Sequence, residues 1–134
     1  METKYALTFY DFIDHPLSAL ERPDADFVTS MRIWAKGAMA NRCPLRLVAP
    51  RFVLTGNAQA LVPFHSFMMT LGQCAARAIG LSAAEDGRVT EDEALILTAL
   101  AAGKSNNAQG VRLAIASLVH AERLDTLTHR ILLL

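Results

Sequence analysis

The chain has 134 residues, 52% of them hydrophobic, and a mean hydropathy of +0.26. That length suits one domain with a sizeable core, and the composition excludes a disordered chain. Thirteen Lys and Arg against thirteen Asp and Glu leave no net charge; this removes any overall pull toward nucleic acid or anionic lipid and leaves little repulsion against self-association.

Alanine and leucine dominate while β-branched and aromatic residues are thin, which favours helices over sheet. Residues 1–22 are ambiguous: Tyr5, Phe9, Phe12 and Ile13 keep helical spacing, but His15-Pro16 ends the segment and Pro23 ends the connector that follows. Acids at Glu2, Asp11 and Asp14 interrupt it, so no secretory signal is expected there. Asp24 or Asp26 can cap a helix running to about Ala40, with Phe27, Met31, Trp34 and Met39 along one face. Asn41 and Cys43-Pro44 break it. Pro44 suits the first turn of a short helix carrying Leu45, Leu47, Val48, Phe52 and Leu54, which Pro50 should kink or split and Gly56-Asn57 should close. The longest periodic segment spans about Ala58 to Ile79, with Phe64, Phe67, Met68, Leu71, Ala75 and Ile79 on one face and Gly80 as its stop.

A short hairpin around Asp86-Gly87 fits within 81–89. A helix follows from Glu91 to Ala102, stopped by Gly103. Asn106 or Asn107 caps the next, whose inner face is Val111, Ala114, Ile115, Leu118 and Val119. A last helix covers about Arg123 to Leu133 and ends in an apolar run, to be docked on the core or covered by a partner chain. The expectation is a single all-α domain over 1–134, an irregular orthogonal bundle of about six helices. The run from Phe52 to Ala76 has no charged residue and is long enough to span a bilayer, which takes ~20 apolar residues. Asn57, Gln59, Pro63, His65 and Gln73 interrupt it, so a core segment of a cytoplasmic protein is expected instead. Cys43 and Cys74 suit a reducing compartment as free thiols.

The stretch EDGRVTEDE, residues 85–93, places five carboxylates in nine positions. Thr90 and Glu93 match a capping box: the threonine hydroxyl accepts from the Glu93 amide, and the glutamate reaches back to the Thr90 amide. Glu91 and Asp92 fall in the first turn, where the helix dipole favours negative charge. Asp86-Gly87 supplies the turn ahead of it.

The same residues resemble the second half of an EF-hand calcium loop. Gly87 stands at the glycine of position six, Asp86 at five, Val89 at the apolar eight, Thr90 at nine and Glu93 at the bidentate twelve. Positions one and three would be Ser82 and Ala84, which lack the usual carboxylates. The resemblance implies a degenerate cation site formed by Asp86, Thr90 and Glu93. The order acid, Asp86, Gly87, then Thr90 and Glu93 before an apolar helix is also similar to the tellurite-resistance type helical domain, where the motif usually occurs twice and acidic residues hold metal; here it occurs once. The wider pattern is a basic helix bearing Trp34, then Arg42-Cys43-Pro44-Leu45, a long apolar helix and the acidic cap. It resembles a family of small bacterial all-helical proteins with no known activity.

No Cys-x-x-Cys, His-Glu-x-x-His, GxGxxG or P-loop is present. No catalytic constellation or cofactor is therefore expected, and Cys43 and Cys74 read as packed thiols. Arg32, Lys36, Arg42, Arg46 and Arg51 form a basic stretch around Trp34. Arg32, Trp34, Lys36 and Arg46 are its candidate interaction residues, through phosphates, a protein interface or the acidic 85–93 segment itself. The reading that results is a non-enzymatic protein-interaction or self-associating regulatory module, a homodimer or bound to another protein, with nucleic acid and membrane disfavoured. The capping reading carries a number: Thr90→Ala should lower unfolding free energy by about 1 kcal/mol in chemical denaturation, with or without added calcium.

Overall fold

The structure is a computed structural model that describes residues 9–83 and 87–134. Prolines set the first half of the chain. Pro23 sits in the first turn of α1 (Arg22–Met39), where its fixed φ and missing N–H cost nothing. The helix therefore starts ahead of Asp24 and Asp26, and neither caps it. Pro44 plays the same part in α2 (Pro44–Leu54). Pro50 neither splits nor ends α2. It stands on the exposed side, one turn after the exposed Arg46. After a 3₁₀ turn (Ala58–Ala60), α3 (Leu61–Cys74) takes Pro63 in its own first turn.

The expected helix to Ile79 ends at Cys74. Ala75 turns extended and makes an antiparallel bridge with Val119, through Ala76 N–H to Leu118 O (2.9 Å) and His120 N–H to Cys74 O (3.0 Å). The 3.6-residue pattern continues through 75–79, but a distant backbone takes the hydrogen bonds first. Residues 77–83 then run without helix toward the start of α4 (Glu91–Lys104). The tip of the expected hairpin, Asp86, lies outside the described residues. Arg88 pairs instead with Pro16 in a second isolated bridge.

Helix α4 does not stop at Gly103. Its buried residues, among them Ala94, Ile96, Leu97, Ala99 and Leu100, cover most of its circumference, as befits a central helix. Helix α5 (Ala108–Ile115) is capped by the Asn107 side chain, which accepts from Gly110 N–H at 2.9 Å. A 3₁₀ turn (Ala121–Arg123) leads into α6 (Leu124–Leu132). Helix α4 packs mainly on α5, α1 on α2, and α3 on α6. The architecture is the all-α bundle of six helices expected from composition, and among the described residues there is no strand.

The residues expected on the inner face of α5 are all buried, but the helix ends at Ile115: Leu118 lies in the turn after it and Val119 in the bridge to Ala75. Phe27, Phe52, Phe64 and Phe67 form an aromatic cluster with centroids 5.1–5.8 Å apart. Met39 and Leu54, expected on core faces, are 87% and 85% exposed, each the last residue of its helix. The Ile131–Leu134 run divides: Ile131 docks in the core while the three terminal leucines stay at the surface.

Helices α1 and α2 approach closely at Gly37, where an added Cβ would collide with the Leu47 side chain. Gly37→Ala, which should favour an isolated helix, is expected instead to destabilise the fold by about 1–3 kcal/mol through overpacking, read by chemical denaturation.

Candidate functional site

The capping box forms as the spacing requires. The Thr90 hydroxyl accepts from Glu93 N–H at 3.1 Å, and Glu93 Oε1 accepts from Thr90 N–H at 2.9 Å. The hydroxyl also donates to Gly80 O at 2.7 Å, tying the connector to the cap.

The partner that Glu93 finds comes from the basic stretch, one of whose expected roles is to pair with the 85–93 segment; the spacing does not say which of its arginines does so. Arg32, from the middle of α1, reaches Glu93 with a two-pronged pair: Nε to Oε2 at 2.7 Å and Nη2 to Oε1 at 2.8 Å. Both side chains are 0% exposed. Each carboxylate oxygen accepts a second time, Oε1 from Thr90 N–H and Oε2 from Ser82 N–H at 3.2 Å. The guanidinium in turn donates to Arg88 O at 2.7 Å and Ala83 O at 3.3 Å. A buried ion pair is tolerated when its remaining donors and acceptors are met, and here they are met by backbone.

A second pair flanks the first. Arg77 grips Asp92 through both terminal nitrogens at 2.8 Å, and Gly80 N–H donates to Asp92 Oδ2 at 2.6 Å. These bonds hold the Asp92 carboxyl below the usual carboxylate range despite its burial. Glu91 points outward. The acids at the start of α4 thus satisfy amides and bind arginines from two other segments.

The N-terminal segment docks on the same node. Asp14 N–H donates to Val89 O (2.9 Å), Val89 N–H to His15 O (3.0 Å) and Leu17 N–H to Gly87 O (2.6 Å). Arg88 adds a side-chain bond to Asp14 O at 2.8 Å. Asp14 holds φ +59°, a turn conformation that Asp tolerates better than most residues.

Of the candidate cation ligands, Thr90 and Glu93 lie together, and Asp86 is outside the described residues. A cation at Glu93 would have to displace Arg32 from both oxygens. Among the described residues no group of three His, Cys, Asp or Glu side chains gathers in a metal-ligating arrangement.

The candidate interaction residues scatter. Arg32 is interior and offers no charge to a phosphate or a partner surface. Trp34 is nearly buried, its Nε1–H donating to His65 Nδ1 at 3.0 Å, so that ring nitrogen is the unprotonated one. Lys36 and Arg46 are exposed, on α1 and α2. Lys36 lines a shallow groove with Met39, Ile79 and Leu81. Cys43 is exposed just ahead of α2, and Cys74 is buried in α3. Among the described residues no helix is long and apolar enough to cross a membrane. Comparison with family models, curated proteins and solved structures finds no match to this chain.

Removing one member of the Arg32–Glu93 pair strands the other. Arg32→Met and Glu93→Leu should each cost about 3–5 kcal/mol in denaturant unfolding. The double variant Arg32→Met/Glu93→Leu should recover part of the combined loss, the backbone groups of Ser82, Arg88 and Thr90 remaining unmet. Additive single losses would show that the pair is not coupled.

Proposed function

We propose that this chain is a non-enzymatic helical module that self-associates through an apolar surface, acting in the cytoplasm in a regulatory or scaffolding role. The reading rests above all on the C-terminal run: Leu132, Leu133 and Leu134 are 36–56% exposed, immediately after the docked Ile131. Leu113 on α5, Val62 and Met69 on α3 and Val53 on α2 are further large apolar side chains at the surface. Scattered apolar residues are ordinary on a protein surface, whereas three in succession at a helix end offer contiguous area for a partner.

Charge agrees with the reading. The chain has no net charge to oppose association. Arg32, Arg77, Glu93 and Asp92 are committed to internal pairs, so they are not available for reaction chemistry at a surface. A second copy is the partner that needs no further component. Free thiols at Cys43 and Cys74 suit a reducing compartment.

Sedimentation equilibrium from micromolar to millimolar concentration tests the proposal. The chain should weigh as a dimer or larger, and Leu133→Lys/Leu134→Lys should return it to a monomer with its helical circular dichroism intact. A monomer mass for the unaltered chain across that range would refute self-association.

A further inference from the structure

Several arginines reach carboxylates on other segments, and they do so unequally. Arg32 and Arg77 each make two-pronged pairs at 2.7–2.8 Å. Arg51, in the last turn of α2, meets Asp26 of α1 by one contact of 3.5 Å, and its buried Nε–H has no hydrogen-bond acceptor among the described residues. Charge-assisted N–H···O bonds normally close to ~2.7–2.9 Å. Arg51 is held in place with most of its hydrogen-bonding capacity unspent.

It stands in the wall of an open cleft of about 580 Å³, between the start of α1 and the end of α2. Phe27 and Phe52 contribute apolar lining, and both rings rest on Phe64, at 5.3 and 5.1 Å between centroids. Arg22 stands at the rim, 3.8 Å from the same Asp26. Two guanidiniums against one carboxylate make the cleft net cationic on a chain of zero net charge. Its volume falls within the ~300–1,000 Å³ usual for small-ligand sites, and its mix of aromatic lining with a few polar groups is also usual.

We propose that this cleft binds a small organic monocarboxylate with a flat apolar body. The carboxylate displaces Asp26 and takes the terminal nitrogens of Arg51, Nε being shut off from solvent, while the body lies against Phe27 and Phe52. The match to a monoanion follows from charge: two cations less Asp26 leave one positive charge to neutralise, and a dianion such as inorganic phosphate would set its second charge against Asp26. The fork of a guanidinium also fits the two oxygens of a carboxylate, which an amide cannot reproduce.

Isothermal titration calorimetry on the full chain, with phenylacetate and phenylacetamide as probes, tests this. Phenylacetate should bind saturably, and phenylacetamide about tenfold more weakly or less. Arg51→Gln should weaken phenylacetate by about tenfold or more, while Arg130→Gln, on α6, leaves it unchanged. Asp26→Asn should tighten it, because the competing carboxylate is gone; that gain of affinity decides the matter even if Arg51→Gln fails to fold. No saturation at millimolar phenylacetate, equal affinity for the amide, weaker binding by Asp26→Asn, or stronger binding of inorganic phosphate would each overturn the proposal.

Discussion

The buried pair between Arg32 and Glu93 is the constraint around which the rest is arranged. Two charges taken out of water lose several kcal/mol of hydration each, and their attraction offsets that only if every remaining donor and acceptor is met. The chain meets this condition with backbone from three segments: the connector at Ser82 and Ala83, the turn at Arg88 and the helix start at Thr90. Those segments must therefore lie where the pair needs them. The docking of residues 14–17 on 87–89 adds its own backbone bonds to the same node. Arg77 and Asp92 repeat the pattern nearer to solvent.

What could be read in the sequence was local. The capping box needs only Thr90 and Glu93 three positions apart, and the Asn107 cap and the proline-led start of α2 are equally short-range. The inner face of α5 was legible because a short helix leaves no doubt about phase. The end of α3 was not, since Ala75 keeps the apolar period and the strand-like pairing that halts it comes from Val119, far along the chain. Met39 and Leu54 misled for another reason: spacing tells which side of a helix is apolar, not whether its last turn is covered. The basic stretch read as a single feature, yet its members separate into an interior charge at Arg32, a cross-helix contact at Arg51 and outward groups at Lys36 and Arg46. Pro50 shows propensity yielding to context, since the helix runs on through it at an exposed position.

The division of charge also shapes what the surface can do. Acids that resemble part of a cation loop turn inward to arginines, while leucines at the end of α6 stay outside. A polar interior beside an apolar exterior inverts the usual arrangement at those two places. The first specifies how α1 and α4 are oriented, in the manner of a polar residue that fixes register in a coiled coil. The second leaves free energy to be recovered by contact with something else.

Arg32 and Glu93 lie 61 positions apart. Closing so long a stretch is entropically uphill, and neither charge gains by shedding its hydration before the backbone donors around it are in place. A pair that waits on those donors forms late, after the barrier. Interactions absent from the transition state leave the rate of folding almost untouched and act on the reverse step. An ion pair of that kind acts above all as a brake on unfolding: it lengthens the lifetime of the native state more than it guides the chain toward it.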